Sequence, residues 1–563
     1  MTQKNDTAST FGRWSELSAS VSEAGYGPVW HTENGTEAKP LYMKEDVHPF
    51  LNDMKGVQNL LRAGANKSTF GWRALQLLTP QNEKSVRQAQ QEMMGVEWLL
   101  PADQWNKATY RDIENIASYR LAFLTGAPDD VLRCQQKLNE RSVKDINLLI
   151  DFLSVVDERA FDVFEESVAK VWEQQNGENV FFCLNTDRLH NSGATQQTAL
   201  AAGMSAVVDL IELGKERDWD TSKLFASFVL RVSVTGHFFE EIASLRALRA
   251  TWDQLQRNYD VSPQPLQIFA ETAYRTKAAI DEEGNLLRAM NEAFAAVVGG
   301  ADAVTILPFD SSSKPRPAAW RYAYNMHVIL NEEAGVGAVQ DPAAGSYAVE
   351  SLTESAAQKL WQAFLQLEKT GGFRANIENG SLSKQVEVER QQLSETVKKG
   401  NMVLVGVNRY AAEQKEEISH YERQEDALFP PYRTSMPFED LRTKAYRTVA
   451  KSIPVLTFGN VKLAKRSADE WIDRLGTIGW AAYWEQNEEE ALENDIVILC
   501  GEDEVWQRQV TNRMSDWQQT HPNVRFLCWS TEDVPVKEQI ERASSRFEEC
   551  VRIVERLQGG DHS

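Results

Sequence analysis

The chain of 563 residues carries 82 acidic and 60 basic side chains, a formal net charge of −22 that repels a polyphosphate backbone and excludes nonspecific nucleic-acid binding. A hydrophobic share of 42% and a charged share of 25% are those of an ordinary globular protein, and no apolar run approaches the roughly 20 residues of a membrane span. The length exceeds what one core sustains, so at least two domains are expected.

Residues 1–46 read as a polar extension punctuated by Gly25, Gly27, Pro28, Gly35 and Pro40. It has neither a signal-type apolar core nor an arginine-rich amphipathic pattern, which makes the cytoplasm the expected location. Its aromatics Phe11, Trp14, Tyr26 and Trp30 suit either anchoring on a partner or folding back on the chain's own body. From 47 to 409, strand-like runs such as VEWLL (Val96 to Leu100), NVFFCL (Asn179 to Leu184) and DAVTILPF (Asp302 to Phe309) are separated by helical patterns. Strands alternating with helices over this length suit a closed (β/α)8 TIM-type barrel, with an open parallel sheet as the alternative. Residues 410–451, with Pro430 and Pro431 adjacent amid mixed charges, read as a linker. A second β/α series follows from 452 to 563: VLTFGN, a helix, AAYW, DIVILCG, a helix through Trp506 and Met514, VRFLCWS and a last helix to about Leu557. This is the pattern of a smaller flavodoxin-like, doubly wound domain.

Motifs of self-sufficient chemistry are missing: the sequence holds no GxxxxGK[ST] loop, no GxSxG elbow and no HExxH helix. The five cysteines, Cys134, Cys183, Cys500, Cys528 and Cys550, are odd in number and form no CxxC pair, so buried free thiols are expected, with no metal site. The pair Gly299 and Gly300 precedes a strand instead of following one and reads as a helix stop.

Four segments carry a resemblance. TGHFFEEIASLRALRATW (Thr235 to Trp252) places Phe238, Ile242 and Leu245 on one helical face with Arg246 and Arg249 beyond, which spacing alone would read as solvated arginines. NEAFAAVVGGADAVTILPFD (Asn291 to Asp310), the run from Ala318 to Thr353 that includes DPAAGSYAVESLT, and NMVLVGVNRY (Asn401 to Tyr410) follow in order. Together they resemble the methylmalonyl-CoA mutase family. Asp341, Gly345 and Ser346 are given a turn-shaping role and no catalytic one.

Three departures from the family pattern decide what the resemblance implies. The D-x-H-x-x-G loop that supplies an imidazole to cobalt has no counterpart: His521 has Gln519 where the aspartate would stand and Val524 where the glycine would, and His562 is the only other histidine of that region. In STFGWRALQLLTPQN (Ser68 to Asn82) the superposition puts Trp72 and Gln76 on the family's tryptophan and glutamine but Leu77 on its tyrosine, and a leucine has no hydroxyl to orient a thioester. His190 lies three residues before Gly193, two fewer than in the family's G-Y-H-M-Q-E-A-G-A, so it is a relic that touches an acyl-CoA or a local hydrogen-bonding residue of a strand end.

The resemblance therefore implies the small, non-catalytic (beta) subunit of the heterodimeric enzyme, with no catalytic residue of its own and no metal. Adenosylcobalamin and the acyl-CoA substrate are expected in a homologous large catalytic subunit that interconverts methylmalonyl-CoA and succinyl-CoA, the cofactor carrying the radical chemistry. Two other functions stay open on residues alone: an active acyl-CoA mutase barrel that uses a separate cobalamin-binding protein, and a non-catalytic acyl-CoA-binding module.

Overall fold

The structure is a computed structural model that describes residues 30–31, 37–39, 42, 46, 71–80, 82–83, 96–107, 121–140, 146–153, 161–313, 315–413, 418, 427–446, 452–501, 503–529, 534–543 and 545–558. Phe11, Trp14, Tyr26 and His562 lie outside these residues. A short antiparallel ribbon, β1 (Trp30–His31) and β2 (Glu37–Ala38), precedes the barrel.

Eight parallel strands close into that barrel: β3 (Arg73–Leu77), β4 (Val96–Pro101), β5 (Leu121–Gly126), β6 (Asn147–Asp151), β7 (Val180–Asn185), β8 (Phe228–Val234), β9 (Gln267–Thr272) and β10 (Ala303–Thr305). Each pairs with the next and β10 pairs with β3, so no edge is left open. The strands read as apolar runs because helices cover the outer face while their own side chains fill the inner one.

The covering helices are α1 (Ala102–Asn106), α2 (Pro128–Asn139), α3 (Phe161–Gln174), α4 (Thr186–Asn191), α5 (Gln196–Glu216), α6 (Thr221–Ala226), α7 (Phe238–Asn258), α8 (Glu282–Val298) and α9 (Pro317–Val328). A second helical tier follows in α10 (Tyr347–Lys369), α11 (Gly372–Glu378) and α12 (Ser381–Lys398). Local chemistry sets the ends. Thr195 accepts from the Thr198 amide to cap α5, Asp281 from the Gly284 amide to cap α8, and Pro317 opens α9, where its missing N–H costs nothing. Gly300, at φ +83°, stops α8 in the left-handed conformation that the glycine pair suggests.

The two arginines of α7 are not solvated. Arg246 is 2% exposed and pairs with Asp341 and, at 2.8 Å, with Glu350. Arg249, 3% exposed, donates to the carbonyls of Leu266 and Gly300 and to Asp302. Ala247 of α7 faces Ala356 and Ala357 of α10, and this close approach of small residues seals the guanidinium of Arg246 between the helices. Spacing could not show this, because the second tier that covers the face comes a hundred residues later.

The second sheet has the order β12-β11-β13-β14-β15, all parallel: β11 (Ile453–Thr457), β12 (Ala482–Glu485), β13 (Ile496–Cys500), β14 (Arg525–Trp529) and β15 (Glu538–Ile540). That is the doubly wound, flavodoxin-like order. One face packs on α13 (Met436–Tyr446), α14 (Val461–Thr477) and α17 (Arg546–Gln558), the other on α15 (Glu488–Leu492) and α16 (Glu504–Thr520). Residues 436–446 of the expected linker are thus helical, with Leu441 and Ala445 in the core beside the second sheet. Ala278, Val397, Val407 and Phe438 join the two units, with Phe547 against them. All five cysteines are free and buried. Among the described residues no helix is long and apolar enough to cross a membrane.

Candidate functional site

Two places in this architecture ordinarily take ligands: the carboxyl mouth and axis of the barrel, and the crevice at the carboxyl edge of the second sheet where strand order reverses. The barrel axis is filled. Leu75, Leu99, Phe123, Leu149, Cys183, Val229, Phe269 and Ala303 form one buried cluster inside the strands, with Leu77 and Phe181 packed against it. The ring of Phe123 meets those of Phe181 and Phe269 at centroid distances of 5.7 and 5.5 Å. At the amino end, the Arg73 guanidinium lies 4.9 Å from the Phe123 centroid and pairs with Glu97 at 2.5 Å.

Toward the carboxyl end the filling becomes ionic. Arg231 of β8 pairs with Glu271 of β9 and lies 3.5 Å from Asp187. The Cys183 thiol donates to Asn185 Oδ1 at 2.8 Å, and Asp151 ends β6 beside them. Burial pushes the Asp187 carboxyl up to about 7; Arg231 opposes the shift while Glu271 and Asp151 add to it. Burial likewise raises Asp151 and carries Cys183 well above the usual thiol range, so this thiol is no nucleophile. Asp187 Oδ1 is buried without a hydrogen-bond partner among the described residues. Side chains of this size and charge leave the axis a packed core. The cluster was not anticipated from sequence, although Arg231 in FVLRVSV and Glu271 in QIFAET are charges set at inward positions of apolar strands.

The sequence-derived positions fall around this plug. Leu77 ends β3 and is half-buried at the mouth. Gln76 beside it is turned to the wall, donating to the Ile306 carbonyl at 3.0 Å, and Trp72 donates to His327 Nδ1 at 3.1 Å. His190 lies on α4, directly after β7. In a ring of eight, β3 and β7 stand four strands apart, so the structure sets Leu77 and His190 on opposite sides of the mouth. His190 is 2% exposed; burial lowers its pKa to about 3, the bond to the Ser233 backbone opposing, and its Nδ1 has no partner among the described residues. It is a neutral, enclosed imidazole. Five residues before Gly193, where the quoted pattern carries its histidine, stands Arg188, which donates to the Leu153 carbonyl at 3.2 Å and attracts Asp151.

In the second sheet the order reverses between β11 and β13, and the loops there are stitched to each other. Asn460 caps α14 and Asp503 caps α16; Asp503 also accepts from the Asn460 amide at 2.7 Å, and Gln509 accepts from the Gly459 amide at 3.1 Å. A Cβ on Gly459 would strike Asp503 and one on Gly501 would strike Trp506, so the two loops pack tightly against the start of α16. No histidine lies in these loops. His521 follows α16 and precedes β14, which puts it on the amino edge of the sheet, opposite the crevice, bonded to the Thr520 hydroxyl at 2.9 Å. The residues present do not fit a cobalamin whose cobalt needs an imidazole. Among the described residues no group of three or more metal-ligating side chains occurs.

Comparison with known proteins bears on the barrel. The family model described as methylmalonyl-CoA mutase matches residues 175–431. The chain is 30% identical over 236 residues to the methylmalonyl-CoA mutase small subunit of Porphyromonas gingivalis (strain ATCC BAA-308 / W83), covering 40% of this chain and 38% of that one. It is 32% identical over 255 residues to the probable methylmalonyl-CoA mutase small subunit of Mycobacterium bovis (strain ATCC BAA-935 / AF2122/97), covering 44% and 41%. With the methylmalonyl-CoA mutase small subunit of Propionibacterium freudenreichii subsp. shermanii it shares 28% over 370 residues, covering 61% and 57%. The chain spans from about two fifths to under three fifths of these relatives' length.

Proposed function

We propose that this chain, whose residues 175–431 match the methylmalonyl-CoA mutase family model, is the small, accessory subunit of such an enzyme, supporting a larger catalytic subunit that interconverts methylmalonyl-CoA and succinyl-CoA. The observation that carries this reading is the filled barrel axis, where Phe123, Phe269 and the Arg231 ion cluster pack in the place an acyl-CoA chain would otherwise run. The stitched crevice of the second domain supports the same division of labour, with adenosylcobalamin held by the partner. That cofactor supplies the radical chemistry in the pair, and this chain's residues take no part in it.

The reading treats 1–46 as an extension, 47–409 as the mutase-type barrel, 410–451 as the connection and 452–563 as a degenerate cobalamin domain, and it places the complex in the cytoplasm. The other two functions open to the residues alone, a self-sufficient barrel and an acyl-CoA-binding module, both require a ligand along the axis. The test is direct. The purified chain, desalted after exposure to adenosylcobalamin and methylmalonyl-CoA, is expected to retain neither and to turn over nothing, while a larger mutase subunit co-purifies with it from its native cell. Stoichiometric cobalamin absorbance, or succinyl-CoA formed by the chain alone, overturns the reading.

A further inference from the structure

Three of the four family-like segments each leave a large apolar side chain in solvent on neighbouring stretches of the surface. Phe239 of TGHFF is 60% exposed, Phe294 of NEAFAAVV 37%, and Val405 and Tyr410 of VGVNRY 57% and 78%. Leu287, one turn before Asn291 on α8, is 76% exposed. The fold brings them into one strip. Phe238 bridges Phe239 and Phe294, with ring centroids 5.3 and 5.0 Å away, and Asn291 donates to the Gly236 carbonyl at 3.0 Å, locking α8 to the start of α7. Leu287, Asn291 and Phe294 follow each other at helical spacing on the same face of α8. Arg288 donates to the Val405 carbonyl at 2.6 Å, which docks the VGVNRY turn on that face, and the Gly406 amide donates to the Arg409 carbonyl at 2.7 Å to bring Tyr410 round beside it. Beyond the turn, Arg546 of α17 donates to the Asn408 carbonyl, so the strip runs from the barrel to the edge of the second domain.

Rings and aliphatic chains this exposed leave much of their apolar area unburied by their own fold. The exposed fractions correspond to roughly 500 Å² of apolar surface, at the upper end of the patch found on a typical monomer and most of the roughly 800 Å² that one partner contributes to a stable interface. We propose that the strip of Phe239, Phe294, Leu287, Val405 and Tyr410 is the surface on which the larger mutase subunit docks, with the phenylalanines as its energetic centre. The proposal rests on the small-subunit reading and adds where the contact lies. A partner built on the same family fold presents equivalent helices, which suits a pseudo-twofold contact in which like surfaces meet. Aromatic side chains centred in a patch, ringed by polar groups such as Asn291 and Arg288, are the usual arrangement of an interface's strongest contacts.

The experiment mixes the full chain with the purified larger subunit from the same genome and measures the dissociation constant by light scattering and titration. The variants are Phe239→Asp, Leu287→Asp and the pair of them, with Val163→Asp, 67% exposed on α3 away from the strip, as the control. Thermal melts of each variant alone are expected to match the parent, because none of these side chains is buried. The single substitutions are expected to weaken the complex at least tenfold and the pair to abolish it, with the control unchanged. If the parent complex forms and the strip variants bind as tightly as it does, the strip is not the docking surface while the subunit reading stands. If the parent chain forms no complex with the larger subunit, the subunit reading fails and the strip loses its occupant with it. Dimers of the parent chain alone, broken by the strip variants, would make a second copy the occupant and overturn the proposal.

Discussion

In the barrel, the axis is closed toward its carboxyl end by ions that depend on one another: Arg231 serves both Glu271 and Asp187, with Asp151 close by. In the second domain, the corresponding opening is closed by shape, through Trp506 against Gly501 and through Asp503 as the cap of α16 and clamp on Asn460. The two closures fail differently. Removing one ion strands its partners in a low dielectric, whereas the packed crevice loses only the contacts of the group removed. An opening can be filled by either route, but the ionic route leaves the fold sensitive to pH.

The largest expected effect breaks the ionic closure at its hub. Arg231→Met leaves the buried carboxylates of Glu271 and Asp187 without their shared cation, and at pH 7.5 it should cost about 3–5 kcal/mol in denaturant unfolding. A loss under about 1 kcal/mol would mean that the plug is incidental to the barrel's stability.

Next comes the pH dependence. Asp187 stands at about 7 in the fold, above the ordinary carboxyl range, so folding takes up a proton there. The stability tied to that proton is present at low pH and is lost as pH rises through about 7. Glu241, raised by burial to about 7, acts in the same sense, while the buried imidazoles His190 and His327, lowered to about 3, act in the opposite sense below the ordinary imidazole value of 6.5. The wild-type curve mixes these slopes, so the comparison with Asp187→Asn isolates one of them. Between pH 5 and pH 8 the stability difference should move in the variant's favour by on the order of 2 kcal/mol. A difference that stays flat with pH would show that Asp187 is already ionised at pH 5 in the fold.

A smaller effect is expected at the mouth. Leu77→Tyr adds bulk against the inner cluster at a half-buried position and should cost about 1 kcal/mol by overpacking, with no turnover of methylmalonyl-CoA by the chain alone. Turnover would mean that the axis opens far enough for substrate, against the packing seen here.

The barrel and the doubly wound domain were legible because long apolar runs such as VFFCLN and IVILC alternate with amphipathic helices, and that periodicity is local. β15 was not anticipated: its three residues, EQI, are too few and too polar to read as a strand, and only pairing with β14 makes them one. Leu77 and His190 could be singled out one at a time, but their placement across the mouth depends on barrel closure. The burial of Arg246, the closure of the axis by Arg231 and the clamp of Asp503 on Asn460 all join residues from 43 to more than 90 positions apart or from neighbouring strands, and no spacing rule reaches them.

The smallest effect should come from the residue that sequence alone makes most tempting. His521 is the one described histidine of the second domain, and a family that binds cobalt through an imidazole in that domain directs attention to it. Its place in the sheet decides otherwise. It follows α16 on the amino edge, while the crevice at the β11 and β13 ends opens on the carboxyl edge, and its Nδ1 is engaged with the Thr520 hydroxyl. An imidazole in an exposed bond of this kind contributes little, so His521→Ala should leave stability within about 0.5 kcal/mol of the parent. If the chain pairs as proposed with a larger mutase subunit, the same variant should leave the cobalamin content of that pair unchanged, read by absorbance after desalting. A loss of bound cobalamin in the variant would mean that the amino edge takes the cofactor, and the closure of the carboxyl edge would then have to be explained without reference to it.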